Sequence, residues 1–220
     1  AIASADLSLP EKIDRVMVLG REQWQLPFAI VSRIEGDDYT VMHCSDDSGT
    51  IQPQAHFELP GTYCTHTLAA GAPVAFNHAG RSRIARHPCY LNFQMEAYIG
   101  TPLIVNGSRY GTLNFFGPDI RAPFTRQDTS LINLLAQWIG FEFTREQKRE
   151  LKRWFNFLDA DGSGEINIEE LEDPLLSTGT AGGAVSQLLC GTCLWCRARA
   201  PTSTPPGRWG PPPRAGRGDR

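Results

Sequence analysis

The sequence predicts an α+β fold, an antiparallel sheet with flanking helices, followed by a helix-loop-helix and a disordered tail. Three observations predict it: two hairpins marked by their turn residues, amphipathic helices bracketing them, and an abrupt change of composition near residue 177. At 220 residues, 41% hydrophobic and 20% charged, the chain has the make-up of a globular domain with an appendage.

A helix is expected over residues 11 to 25, where Ile13, Val16, Met17 and Leu19 share a face and Leu26-Pro27 ends the run. Strands are expected at 28 to 35 and 39 to 44, with the turn Glu35-Gly36-Asp37-Asp38 making them a hairpin. Short helices follow at 63 to 70 and 88 to 95, with a strand at 73 to 77 between them. The clearest sheet signal is the pair 97 to 105 and 108 to 116, separated only by Asn106-Gly107, the preferred residues of a type I′ turn. A long helix then opens at Thr125, capped with Asp128, and Leu131, Leu134, Leu135, Trp138 and Ile139 read as its core face. Only Gly140 interrupts helical propensity before residue 158, and Glu146/Arg149 and Glu150/Arg153 are supporting i, i+3 pairs, so one uninterrupted helix is expected.

The body, residues 1 to 147, resembles a GAF domain, a sensor module fused to many signalling outputs. The resemblance rests on Gln25-Leu26-Pro27-Phe28-Ala29-Ile30-Val31-Ser32, Glu96-Ala97-Tyr98-Ile99-Gly100-Thr101-Pro102-Leu103, Tyr110-Gly111-Thr112-Leu113-Asn114-Phe115, and Pro123-Phe124-Thr125 before Leu135-Ala136-Gln137-Trp138-Ile139-Gly140. It implies a small-molecule cavity between the sheet and the crossing helices, with Cys64, His66, Cys89, Tyr98, Thr101 and Asn114 as candidate ligand-binding residues. It leaves the ligand open, because GAF domains take cyclic nucleotides, bilins, haem or small metabolites, and some take nothing.

Residues 159 to 170, Asp-Ala-Asp-Gly-Ser-Gly-Glu-Ile-Asn-Ile-Glu-Glu, have the oxygen spacing of a calcium loop. A calcium ion needs six to eight oxygens and a closing bidentate carboxylate. Asp159, Asp161 and Ser163 supply positions 1, 3 and 5, the Glu165 carbonyl position 7, Asn167 position 9 and Glu170 position 12, with Gly164 allowing the sharp turn. Leu151, Trp154, Phe155 and Leu158 form the stripe of an entering helix, and Ile168 and Leu171 open an exiting one. Residues 148 to 176 therefore resemble an EF-hand, with two departures: Pro174 sits early in the exiting helix, and no second loop follows. An unpaired hand is expected to bind weakly, or to recruit another copy or a second EF-hand chain through Ile166.

Residues 177 to 220 carry six Arg and one Asp against a whole-chain charge of −3, leaving −8 for residues 1 to 176. Eight Gly and six Pro in that tail describe a segment unable to bury enough surface to fold, and its composition is that of translated non-coding sequence, an alternative terminus. Cys190, Cys193 and Cys196 have a metal-binding rhythm but lack a fourth ligand. No specific nucleic-acid partner and no membrane span are expected. The scattered Cys44, Cys64 and Cys89 suit reduced thiols in the cytoplasm. The chain begins with Ala1 rather than Met, and a start further upstream is expected.

No catalytic residue is assigned. Cys64, His66, His78, His87 and Cys89 have spacings ill-suited to zinc. Bilin attachment at Cys89 meets Tyr90 where bilin-carrying GAF domains usually have His. The remaining alternatives are a thiol-dependent enzyme similar to free methionine sulfoxide reductases, working through Cys64 and Cys89, and the sensor part of a histidine kinase whose catalytic domain is absent.

Overall fold

The computed structural model describes residues 7–159 and 162–165. The expected exiting helix, Asp161, Asn167, Glu170 and the whole tail with Cys190, Cys193 and Cys196 lie outside the described residues.

Helix α1 (Leu9–Trp24) begins two residues before its expected start. The reason is a cap: the Glu11 carboxylate accepts from the Ser8 amide at 2.8 Å and the Ser8 hydroxyl at 2.6 Å, and Pro10 is compatible with a first helical turn. It ends at Gln25 in the left-handed conformation, φ 50°, where the Leu26 amide reaches back to the Arg21 carbonyl at 3.1 Å.

Six strands follow: β1 (Phe28–Glu35), β2 (Asp38–Asp46), β3 (His56–Glu58), β4 (Val74–Phe76), β5 (Ala97–Val105) and β6 (Ser108–Gly117). They form one sheet in the order β3-β2-β1-β6-β5-β4, and each of these pairings is antiparallel. Both expected hairpins are present; at the second, Asn106 and Gly107 have φ of 51° and 74°, as a type I′ turn requires. The short strand β3 was not legible, because three residues with one apolar side chain carry no period. Helices α2 (Cys64–Ala70) and α3 (Pro88–Phe93) lie in the β3–β4 and β4–β5 connections.

One face of the sheet packs on α1 and α4 (Arg126–Leu158). Ile13, Val16, Met17 and Trp24 of α1 and Ala29, Val31, Ile99, Leu103, Leu113 and Phe115 of the sheet are all buried, and Trp24 and Phe115 stand edge to face at 4.7 Å. Burial of each large apolar side chain contributes about 1.5–3 kcal/mol.

Helix α4 is the single long helix that the sequence predicts, and its cap is reciprocal: Asp128 Oδ2 accepts from the Thr125 amide at 2.7 Å, and Thr125 Oγ1 from the Asp128 amide at 3.2 Å. Its buried face differs from the expected one. Ile132, Ala136 and Ile139 are fully or nearly fully buried, whereas Leu134 is 60% exposed. Gly140 sets this rotation, since a Cβ there would come within 2.1 Å of the Ile104 carbonyl oxygen. The helix backbone thus rests directly on β5 at that point, which turns the 132-136-139 stripe inward.

The described chain divides into two compact units, one reaching Glu142 and the other starting at Phe143. No described helix is long and apolar enough to cross a membrane.

Candidate functional site

Strand alternation sends Ile30 and Ser32 of β1, Tyr39 and Val41 of β2, Tyr98 of β5, and Thr112 and Asn114 of β6 to the face opposite α1, under α2 and α3. Most of that face is apolar and aromatic. Tyr63, Phe76 and Tyr98 form a mutual trio with ring centroids 5.5–5.9 Å apart, Tyr63 edge-on to the stacked Phe76 and Tyr98, and the Tyr63 hydroxyl donates to the Met95 carbonyl at 2.9 Å.

At its centre sits a buried polar cluster around the Cys64 thiol. Cys64 Sγ accepts from Thr112 Oγ1 at 3.2 Å, Asn114 Nδ2 at 3.5 Å and the Tyr98 hydroxyl at 3.6 Å. Asn114 Nδ2 also reaches the Tyr39 hydroxyl at 3.3 Å, Ser32 and Thr112 hydroxyls pair at 2.8 Å, and Thr67 Oγ1 meets the Tyr98 hydroxyl at 2.6 Å. Tyr98 can reach both because its next same-face neighbour is Gly100, where a Cβ would lie 2.1 Å from the Tyr98 oxygen. Burial pushes the Cys64 thiol up, its hydrogen bonds opposing this only in part, and burial likewise raises Tyr39 and Tyr98 well above the usual phenol range. The cluster is therefore neutral at physiological pH.

A second group adjoins it. His66 on α2 lies 5.0 Å from the His87 ring and 5.8 Å from Phe76, and its Nε2 is buried without a hydrogen-bond partner. His87 caps α3, its Nδ1 accepting from the Cys89 amide at 3.1 Å. Burial pushes the Cys89 thiol up to about 12 and lowers both imidazoles. Tyr90, which follows Cys89, is held by the Glu96 carboxylate at 3.0 Å.

Of the six residues expected to bind a ligand, Cys64, Tyr98 and Asn114 come together in the central cluster and His66 and Cys89 belong to the adjoining group. Thr101 does not join them: period-2 alternation places it on the other face, where its hydroxyl approaches Asn133 of α4 at 3.5 Å. Ser32, Tyr39, Tyr63, Thr67 and Thr112 were missed. Thr112 and Asn114 are two polar residues two apart in an apolar strand, a pattern that marks a shared buried face. Burial raises the Cys64 and Cys89 thiols, the opposite of what a thiolate nucleophile requires. Among the described residues, no three or more His, Cys, Asp or Glu gather in a way that could hold a metal ion.

The loop after α4 holds Asp159, Ser163 and Glu165 among its described residues. Asp159 Oδ2 accepts from the Gly164 amide at 3.0 Å, and Ser163 Oγ lies 3.4 Å from Asp159 Oδ1 and 3.0 Å from the Glu165 carbonyl oxygen. Gly162 and Gly164 take positive φ, 70° and 83°, to turn the chain around these oxygens. Carboxylate, hydroxyl and carbonyl oxygens are the donor types a hard cation takes, so the chemistry of this part of the donor set suits calcium.

The family model for the GAF domain matches residues 8–143. Among solved structures, the chain is similar to the blue-light absorbing form of the Thermosynechococcus elongatus PixJ GAF-domain, at 17% identity and TM-score 0.53, over 68% of this chain and 95% of that one. It is similar to the free methionine-R-sulfoxide reductase from Neisseria meningitidis in complex with its substrate, at 14% identity and TM-score 0.52, over 65% and 84% of the two chains. The GAF domain from Acinetobacter phosphoenolpyruvate-protein phosphotransferase matches at 11% identity and TM-score 0.53, over 66% and 88%. At such identities the likeness is one of fold. No curated protein matches the chain.

Proposed function

The chain belongs to the GAF domain family, and from that premise we propose that it is a cytoplasmic calcium-binding regulatory protein, a small-molecule sensor module followed by one EF-hand. The observation that carries the calcium reading is the Ser163 hydroxyl standing between two further oxygens, 3.4 Å from Asp159 Oδ1 and 3.0 Å from the Glu165 carbonyl oxygen. Asp161, Asn167 and Glu170, outside the described residues, complete the ligand set. A hard cation needs this all-oxygen environment, and its binding orders the loop.

The sensing reading rests on the Cys64 cluster. Hydrogen-bonded groups in an otherwise apolar face provide directional contacts that an aromatic wall alone lacks, and a small ligand with donors and acceptors could exchange for them. The protonated thiols favour non-covalent recognition over thiol catalysis or bilin attachment. The free Cys44, Cys64 and Cys89 suit a reducing compartment. Residues 1 to 147 form the sensor and 148 to 176 the hand; an unpaired hand seeks a second copy or another EF-hand chain.

Terbium, which occupies calcium sites, tests the hand. Excitation of Trp154 in the last turns of α4 should sensitise terbium emission that calcium quenches by displacement. Asp159→Asn should weaken it severalfold, and emission indifferent to both calcium and that substitution would overturn the reading.

A further inference from the structure

The layer that covers the Cys64 face carries no acid. Between Glu58 and Glu96 the sequence holds three Arg and three His but no Asp, Glu or Lys. That stretch is therefore +3, and since residues 1 to 176 total −8, the rest of them total −11. It comprises α2, β4, α3 and their connections, which lie on one face of the sheet. An acidic body thus presents one basic side.

The three arginines, Arg81, Arg83 and Arg86, stand in the connection from β4 to α3, and all are exposed. Their backbone is braced from below, because Ala79 is fully buried and Ile84 is 6% exposed. Consecutive turns hold it as well: the Ser82 amide donates to the Ala79 carbonyl at 3.0 Å, the Ala85 amide to the Ser82 carbonyl at 3.1 Å and the His87 amide to the Ile84 carbonyl at 2.9 Å. Among the described residues none of the three arginines has an ion-pair partner. The carboxylate that meets this connection, Glu96, is committed to neutral donors, the Gly80 amide at 2.9 Å and the Tyr90 hydroxyl at 3.0 Å. Three guanidinium forks on a braced loop, with no carboxylate of their own, match the geometry of an incoming oxyanion.

The remaining charge selects among anions. A body of −11 repels an extended polyanion such as nucleic acid or an anionic membrane. A short anion confined to the basic side escapes most of that repulsion, because salt screens it over about 8 Å. Leu91 of α3, 59% exposed in the same layer, offers an apolar contact that a peptide can use and an inorganic anion cannot.

We infer that this basic side, Arg81, Arg83 and Arg86 with Leu91, docks a short acidic peptide segment of a partner protein. The surface faces away from the Cys64 cluster and lies outside the calcium loop, so its failure would leave the proposed function untouched.

Fluorescence anisotropy of the full chain with a labelled peptide of Glu and Leu tests it. The peptide should bind saturably, and more weakly as salt rises. Arg81→Gln, Arg83→Gln and Arg86→Gln should each weaken binding about two- to fivefold, the range of an exposed pair, and together about tenfold or more. Arg109→Gln, at an exposed arginine outside the layer, should leave it unchanged. If the triple variant fails to fold, the single variants, which alter exposed side chains alone, decide the matter. No saturable binding up to about 1 mM would overturn the proposal. So would equal binding of the same peptide with Gln in place of Glu, undiminished binding in the folded arginine variants, or an equal loss in Arg109→Gln. Tighter binding of a single-stranded oligonucleotide or of phosphatidylserine vesicles, lost in the same variants, would overturn the choice of a peptide partner.

Discussion

Lys12 Nζ and Glu142 Oε2 lie 2.7 Å apart, with both side chains only 9% exposed. The pair ties α1 to α4 across 130 residues of sequence, at the last residue of the first compact unit. A buried pair is weak evidence of net stability, since desolvation offsets attraction, but removing one partner leaves a charge behind.

Lys12→Met should therefore destabilise the protein by about 3 kcal/mol, and adding Glu142→Leu should recover most of that loss. Urea unfolding of the two variants measures it. Equal losses in the single and double variants would mean that packing, not charge, dominates this contact.

A fragment of residues 1 to 147 should melt cooperatively, because the sheet, both of its covered faces and the Lys12–Glu142 pair lie within it. Calorimetry of that fragment checks the boundary; a broad, non-cooperative melt would show that the sensor depends on later residues.

Thiol reactivity follows from burial. Folded protein should react with iodoacetamide at neutral pH far more slowly at Cys64 and Cys89 than unfolded protein, and Cys89 should accelerate only as pH approaches about 12. Mass mapping of the adducts reads this directly. Rapid alkylation of Cys89 at neutral pH would restore thiol chemistry as a candidate.

His66 and His87 titrate below their ordinary range in the fold, so the unfolded chain binds more protons as pH falls past about 6.5. The stability due to their neutral forms is complete above that pH and is lost as pH drops through the lowered folded values. His66→Phe should flatten the fall in Tm between neutral pH and pH of about 5. The same slope in both proteins would remove the imidazole pair from the acid response.

The hairpins and the long helix were legible because their signals are local: a two-residue turn with positive φ, a reciprocal cap and an apolar period. The rotation of α4 was not, because it depends on Gly140 meeting a carbonyl of β5, a contact between residues 36 apart. The Cys64 cluster was half legible. Tyr98 and Asn114 stand in strands whose alternation can be followed, but Ser32, Tyr39 and Thr67 join through tertiary contacts. Thr101, at an odd spacing of three from Tyr98, stands on the opposite face, by Asn133. The alternation on β5 was sufficient to separate them.

Calorimetric titration of the full chain with calcium, in parallel with Glu170→Gln, tests the central claim most directly. The account predicts one site of micromolar or weaker affinity, about 10⁻⁶ M or above in Kd, because only three acidic side chains ligate. It predicts that Glu170→Gln loses most of that affinity. No calcium binding by the native chain, or the same affinity in the variant, would contradict it.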